Sequence, residues 1–163
     1  MKILFVCTGN TCRSAMAEGM LKKMLLEKNL TGIEVSSRGL AASPRFQVPD
    51  TVKELMLEEN IDISKHQAQK LTEKDAGEAD LILVMETWQG VDIIQQFPQA
   101  ENKTFLLKKY VSESNFSSDL ESESFEIYDP IGQSPEIYRF CKEEIKECLI
   151  KLLTMIQTDK GLM

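Results

Sequence analysis

Histidine and tryptophan occur only once each in these 163 residues, as His66 and Trp88. With one imidazole and four cysteines that share no metal-ligand spacing, a zinc centre would have to be gathered from distant parts of the chain; neither a metal nor another cofactor is expected. No apolar stretch approaches the roughly 18 residues of a membrane span. Met1 to Val6 also lacks the regions of a signal peptide, so the expectation is a cytoplasmic protein with no membrane partner. Positive charge is short as well: 19 Lys and Arg against 26 Asp and Glu leave a formal net charge of −7. Without a basic cluster, nucleic acid is not an expected partner. The thiols Cys7, Cys12, Cys141 and Cys148 then read as free rather than as a disulfide framework.

What is present is the composition of one globular domain, 42% apolar and 28% charged, expected to span 1–163 as a single unit. Strand-like runs fall at Lys2 to Cys7, Ile33 to Ser37, Asp80 to Met85 and Thr104 to Leu107, with helix-like stretches between them. Strands alternating with helices imply parallel pairing, hence an α/β fold with an open sheet. The first helix should start near Ser14 and bury Ala17, Leu21 and Met24. The second should run from Val48 to Glu59 with Val52, Leu55 and Met56 inward, and the third from Trp88 to Phe97, ended by Pro98. The last is the longest, its stripe made by Ile137, Cys141, Ile145, Cys148, Leu152 and Ile156. Between Val111 and Glu126 the chain carries five acidic residues, six serines and no Lys or Arg, which reads as a solvated, mobile acidic loop.

The chemistry concentrates in residues 7–14, CTGNTCRS, where the first strand hands over to the first helix. In an open α/β sheet that junction lies at the carboxyl edge of the strands, where ligands bind. Gly9 takes positive φ freely and Asn10 tolerates it, so successive amides from Thr8 to Arg13 can turn inward around a tetrahedral anion. The helix N-terminus adds partial positive charge, and the Arg13 guanidinium adds a planar fork of donors. Such surroundings favour the thiolate form of Cys7, to which Ser14 can donate a hydrogen bond. A Cys-His-Asn triad built from Cys7 and His66 is formally possible, but the loop supplies a simpler route to a thiolate. Cys7 at C-x5-R spacing from Arg13 therefore reads as a nucleophile beneath a bound oxyanion such as inorganic phosphate.

The stretch VCTGNTCRSAMAEGML resembles the active-site signature of the low-molecular-weight protein-tyrosine-phosphatase family. SSRG at 36–39, ISKHQAQKL at 63–71, ADLILVM at 79–85 and YDPIGQSPEIYRFCKEEI at 128–145 follow in that family's order. The resemblance implies a three-layer fold with a four-stranded parallel sheet flanked by helices, and a metal-independent phosphatase acting on phosphorylated proteins. It implies that Cys7 attacks phosphorus and that Arg13 and the amides of Thr8, Gly9, Asn10, Thr11 and Cys12 hold the phosphoryl oxygens. Asp129 of the Asp129-Pro130 pair serves as general acid, then base. Asn10, Ser14, Ser37 and His66 fall to a hydrogen-bond set that supports the loop.

Two positions bear on the substrate. Tyrosine-directed members of the family typically carry a bulky aliphatic residue where this chain has Thr11, whereas the protein-arginine-phosphatase subgroup carries Thr. A hydroxyl can pair with a guanidinium N–H that would otherwise be desolvated without a partner. Ile131 stands where tyrosine-directed members commonly place an aromatic wall. Phosphoarginine is thus the expected substrate and phosphotyrosine the alternative. An arsenate reductase using Cys141 and Cys148 is a third reading, but seven helical residues separate these thiols by about 10 Å, beyond the about 7 Å between Cα atoms that a disulfide spans. The fourth is a non-catalytic redox sensor in which Cys7 and Cys12 pair. Their loop is short enough to close, so reversible oxidative protection of this pair is expected, but a mere sensor leaves Asp129 without a purpose.

Overall fold

The protein is described here from a computed structural model, which covers residues 1–112 and 124–161. The expected acidic loop falls largely on residues 113–123 and so lies outside the described residues.

Four strands, β1 (Lys2–Cys7), β2 (Glu34–Gly39), β3 (Leu81–Val84) and β4 (Thr104–Leu106), form one sheet in the order β2-β1-β3-β4, and every pairing is parallel. Helices α1 (Arg13–Glu27), α2 (Asp50–Glu58), α3 (Glu73–Glu78), α4 (Thr87–Gln96), α5 (Leu107–Ser112) and α6 (Pro135–Gly161) flank it, with a 3-10 turn at Pro98–Lys103. The alternation of β1 explains why its sequence is apolar from Ile3 to Cys7. Ile3, Phe5 and Cys7 face a core shared with α1, α2 and α6, while Leu4 and Val6 face a second core shared with Ala76, Ile82, Val84 and Ile93. A strand buried on both faces has no polar side to show. The chain leaves β1 toward β2 on one side and returns to β3 on the other, so the carboxyl ends of β1 and β3 form the switch point of the sheet.

The expected elements are found with their ends shifted by one or two residues. The second strand is displaced, running to Gly39 rather than Ser37 because its register with β1 pairs Cys7 with Gly39. Leu107 opens α5 instead of closing β4, and α3 and α5 were not expected. Both are six residues long, too short for a helical period to show in sequence. The stripe of α6 holds at Cys141, Ile145, Cys148, Leu152 and Ile156, but Ile137 is 45% exposed. Tyr138 takes the inward place in that first turn, and Lys142 joins the buried face by pairing with Glu59 at 3.0 Å. No helix among the described residues is long and apolar enough to cross a membrane.

Candidate active site

The loop from Cys7 to Ser14 lies at that switch point and is almost wholly buried. Its left-handed residue is Asn10, with φ of 56°. Gly9, expected to share that role, does not have positive φ. The glycine that the loop does need lies on the neighbouring strand. A Cβ on Gly39 would stand 2.6 Å from the Thr8 carbonyl oxygen and 2.9 Å from the Asn10 amide nitrogen. Only a bare Cα lets β2 pass so close. Two further bonds join the segments, from Leu40 N–H to the Cys7 carbonyl at 3.0 Å and from Ala41 N–H to that of Thr8 at 2.9 Å.

Asn10 is the hub of the loop. Its side-chain amide donates to Ser14 Oγ and to Ser37 Oγ, both at 2.9 Å, and its Oδ1 accepts from the Gln69 amide at 3.0 Å. His66 Nε2 lies 2.8 Å from the Asn10 carbonyl oxygen; a carbonyl only accepts, so this nitrogen carries the hydrogen. Ser37 in turn donates to a Glu18 carboxylate oxygen. Ser14 accepts from Asn10, lies 2.9 Å from Cys7 Sγ and is within 3.4 Å of the Arg38 carbonyl; toward a thiolate at Cys7 its hydroxyl can only donate. Asn10, Ser14, Ser37 and His66, implied together by the resemblance, do meet in one hydrogen-bonded set that ends on the Cys7 sulfur.

Among the loop and cap hydrogen bonds of the described residues, no amide from Gly9 to Ser14 donates to a carbonyl, and no side chain caps the start of α1 at Cys12. Buried amides need an acceptor, and at a helix N-terminus an anion is the favoured one. Arg13 is 1% exposed and stands among four acceptors, the first of them Thr8 Oγ1 at 3.4 Å from Nη2. Its Nη1 donates to the Ile127 carbonyl at 2.8 Å and lies 3.3 Å from Glu86 Oε1, while its Nη2 lies 3.4 Å from Asp129 Oδ2. Asp129 is held in turn by the Ile131 amide, which donates to Oδ1 at 3.1 Å. The segment bearing it is strapped to the end of β3 by Ile127 N–H to the Met85 carbonyl, 2.9 Å, and by Thr87 N–H to Glu126, 2.9 Å. Residues 129 and 13, far apart in sequence, are thereby placed side by side.

Thr11 is 6% exposed and Ile131 is 53% exposed, so the first belongs to the loop and the second to its rim. Cys12, next in the loop, is buried, and burial pushes its thiol up. Cys141 and Cys148 sit in the core stripe of α6, where burial pushes their thiols up to about 12 and about 11. Thiols so poised are packing groups, not an attacking pair.

Four residues of the site escaped sequence reasoning: Gly39, Glu86, Gln89 and Glu18. For Glu86 and Gln89 a signal existed. They form a capping box at the start of α4, an E-x-x-Q pair immediately before the Trp88 to Phe97 stretch. Nothing local distinguishes Glu18 from a surface residue of α1.

The family model described as low molecular weight phosphotyrosine protein phosphatase matches residues 2–162. The protein-arginine-phosphatase of Bacillus subtilis is 35% identical over 160 residues, 98% of this chain and 99% of that one. The low molecular weight protein-tyrosine-phosphatase PtpB of Staphylococcus aureus is 33% identical, with 96% and 99% covered. A solved structure of the arginine phosphatase YwlE, a cysteine-to-serine mutant with a phosphorylated active site serine, superposes with a TM-score of 0.86 at 34% identity. All of both chains is covered.

Proposed function

This chain belongs to the low molecular weight phosphotyrosine protein phosphatase family, and from that premise we propose that it is a cysteine-dependent, metal-independent phosphatase that removes phosphate from arginine side chains of proteins. The observation that carries the reading is the hydrogen-bond chain ending on Cys7 Sγ at 2.9 Å, in a buried loop that also carries amides without a carbonyl partner and the buried Arg13 guanidinium. The Cys7 thiolate attacks phosphorus and the bond to the leaving nitrogen breaks. Arg13 and the loop amides take up the charge on the three equatorial oxygens. Asp129 gives its proton to the leaving guanidine, so that it departs as a stable cation. Asp129 then takes a proton from water as that water displaces phosphate from sulfur, and the thiolate is restored. The ligands are phosphorylated protein and inorganic phosphate; the net charge of −7 favours neither nucleic acid nor an acidic membrane surface.

Thr11 carries the choice of arginine. The residue is 6% exposed, and among the described residues its hydroxyl makes no hydrogen bond and is not sealed from solvent, so it is open to a ligand. A guanidinium N–H would give it one, whereas the face of a phenol ring would not. Phosphotyrosine is the second reading, favoured by the similarity to PtpB. The buried Cys141 and Cys148 speak against arsenate reduction, and the placement of Asp129 on Arg13 speaks against a mere redox sensor. Hydrolysis of an aryl phosphate in the presence of a chelator, abolished by Cys7→Ser, is expected; no turnover by the unmodified protein sinks the phosphatase reading. Phosphoarginine and phosphotyrosine peptides compared before and after Thr11→Ile test the substrate. The expected result is a preference for phosphoarginine that falls by about ten-fold or more, one lost buried hydrogen bond to a charged group, and a native preference for phosphotyrosine overturns it.

A further inference from the structure

Gln89 is fully buried on α4 without belonging to the core it faces. Its Oε1 accepts from two backbone amides, Met85 N–H at 3.0 Å and Glu86 N–H at 2.9 Å. That fixes which end of the side-chain amide is which, because two donors demand the oxygen. The nitrogen is therefore turned toward the loop, where Nε2 donates to Thr8 Oγ1 at 3.2 Å. The same hydroxyl oxygen receives Arg13 Nη2 at 3.4 Å. A threonine hydroxyl has two lone pairs and one hydrogen. With both lone pairs engaged by donors, the hydrogen has to leave in another direction, and Thr8 is only half-buried. The other acceptors gathered on Arg13, the carboxylates of Glu86 and Asp129 and the Ile127 carbonyl, each face its guanidinium, and among the described residues none is bonded to the Thr8 hydroxyl.

We propose that the Thr8 side chain is a hydrogen-bond donor to an oxygen of the bound phosphoryl group, and that Gln89 is the positioning residue that holds it in the donating orientation. The inference rests on the phosphatase reading, and it adds a side-chain donor to a cradle otherwise made of amides and one guanidinium. It also gives the turn between β3 and α4 a task. Through one glutamine, the turn that supplies Glu86 to Arg13 also sets the rotamer of the residue following the nucleophile. A group fixed before the reaction costs no reorganisation as charge develops on the phosphoryl oxygens.

The test compares Thr8→Val, which keeps the shape and removes the donor, with Thr8→Ser, which keeps the donor and removes a methyl group. Inorganic phosphate affinity is measured by calorimetry, and kcat and KM with an aryl phosphate. Thr8→Val is expected to weaken phosphate binding and to lower kcat by about ten-fold each, one hydrogen bond to a charged group. Thr8→Ser is expected to stay within about two-fold of the unmodified protein. Gln89→Leu should show the same loss, and no further loss in combination with Thr8→Val, since the two act as one unit. Should Gln89→Leu fail to fold, the two Thr8 variants decide alone. Thr8→Val that binds phosphate as well as the unmodified protein overturns the proposal, as does Thr8→Ser that loses as much as Thr8→Val. The calorimetric arm needs no turnover. An unmodified protein that binds phosphate yet hydrolyses nothing therefore counts against the phosphatase reading, while the Thr8 comparison is still read on binding.

Discussion

At the scale of single residues, the loop is held from outside as much as by its own sequence. Gly39 shows this most sharply, since its missing side chain is what lets β2 lie against the Thr8 carbonyl and the Asn10 amide. Gly39→Ala would force backbone atoms of the loop to move, because the obstructing atoms are not flexible side-chain ends. Turnover and phosphate affinity are both expected to fall by more than ten-fold, with a loss of stability of about 1–3 kcal/mol from overpacking. Steady-state kinetics beside a urea denaturation curve checks it, and an alanine variant with native kinetics refutes it. A second expectation concerns Trp88, the only tryptophan of the chain. Its indole N–H donates to Glu86 Oε2 at 2.7 Å, and the other oxygen of that carboxylate faces Arg13 at 3.3 Å. A phosphate or vanadate that takes donors of Arg13 would compete with Glu86 for them, so tryptophan emission is expected to shift on binding. The response should be lost in Glu86→Gln. Cys7, Asn10, Arg13 and Ser14 can be singled out because one local motif carries them, whereas Ser37, His66 and Asp129 are reached only through the resemblance to a family. Hydrogen bonds bring Ser14, Ser37 and His66 to Asn10 and Cys7 to Ser14, and an ion pair brings Asp129 to Arg13. Gly39 is announced by no local pattern, and the capping box of Glu86 and Gln89 announces only a helix start, because the places of all three in the site come from tertiary proximity.

At the scale of elements, the long apolar periods of α1, α2 and α6 and the continuous apolar run of β1 were readable, since burial on one face or two writes itself directly into residue order. The exception is Lys142, a charged residue on the inward face of α6. It is 2% exposed and paired with Glu59 at 3.0 Å and Glu143 at 3.2 Å. Lys146 reaches the same Glu59 at 2.8 Å, so one carboxylate at the end of α2 clamps two turns of α6. Glu59→Ala would leave the Lys142 ammonium buried without its main partner, at an expected cost of about 3 kcal/mol, read as a lowered urea midpoint at pH 7. The hydrogen bond from Lys146 is the largest cause holding the Glu59 carboxyl below its ordinary value, and the bond from Lys142 adds to it against desolvation. A carboxyl lowered by folding contributes stability that is complete above its unfolded value, near 4.5, and is lost as pH falls through the lower folded value. Below pH 4.5 the stability of the unmodified protein should therefore decline with a component absent from Glu59→Gln. Parallel acid profiles of the two would refute the clamp.

At the scale of the whole molecule, the site is a meeting of three segments that share little else. The loop after β1, the turn after β3 and the stretch from Ile127 to Asp129 converge on the carboxyl edge of the sheet, and Arg13 touches all three through Thr8, Glu86, Ile127 and Asp129. The topology explains why they converge there, since β1 and β3 are sheet neighbours whose connections leave in opposite directions. An oxyanion bound over Cys7 would accept from the loop amides and from Arg13 at once, joining groups that unfolding scatters. It binds only the folded state, so it must stabilise that state by mass action. At a phosphate concentration 100 times the dissociation constant the gain is about 2.7 kcal/mol, which for a chain of this size raises the melting temperature by about 5–10 °C. Cys7→Ser should retain the shift, because the hydroxyl leaves the amides and the guanidinium in place. Arg13→Ala should lose it together with the fork of donors. A calorimetric scan in phosphate against chloride at equal ionic strength separates this from general salt effects. Equal melting temperatures in the two salts, or a phosphate shift that survives Arg13→Ala, would show that the three segments do not act as one anion site. A shift confined to proteins with Arg13 intact would tie the stability of the whole sheet edge to the ligand that its chemistry handles.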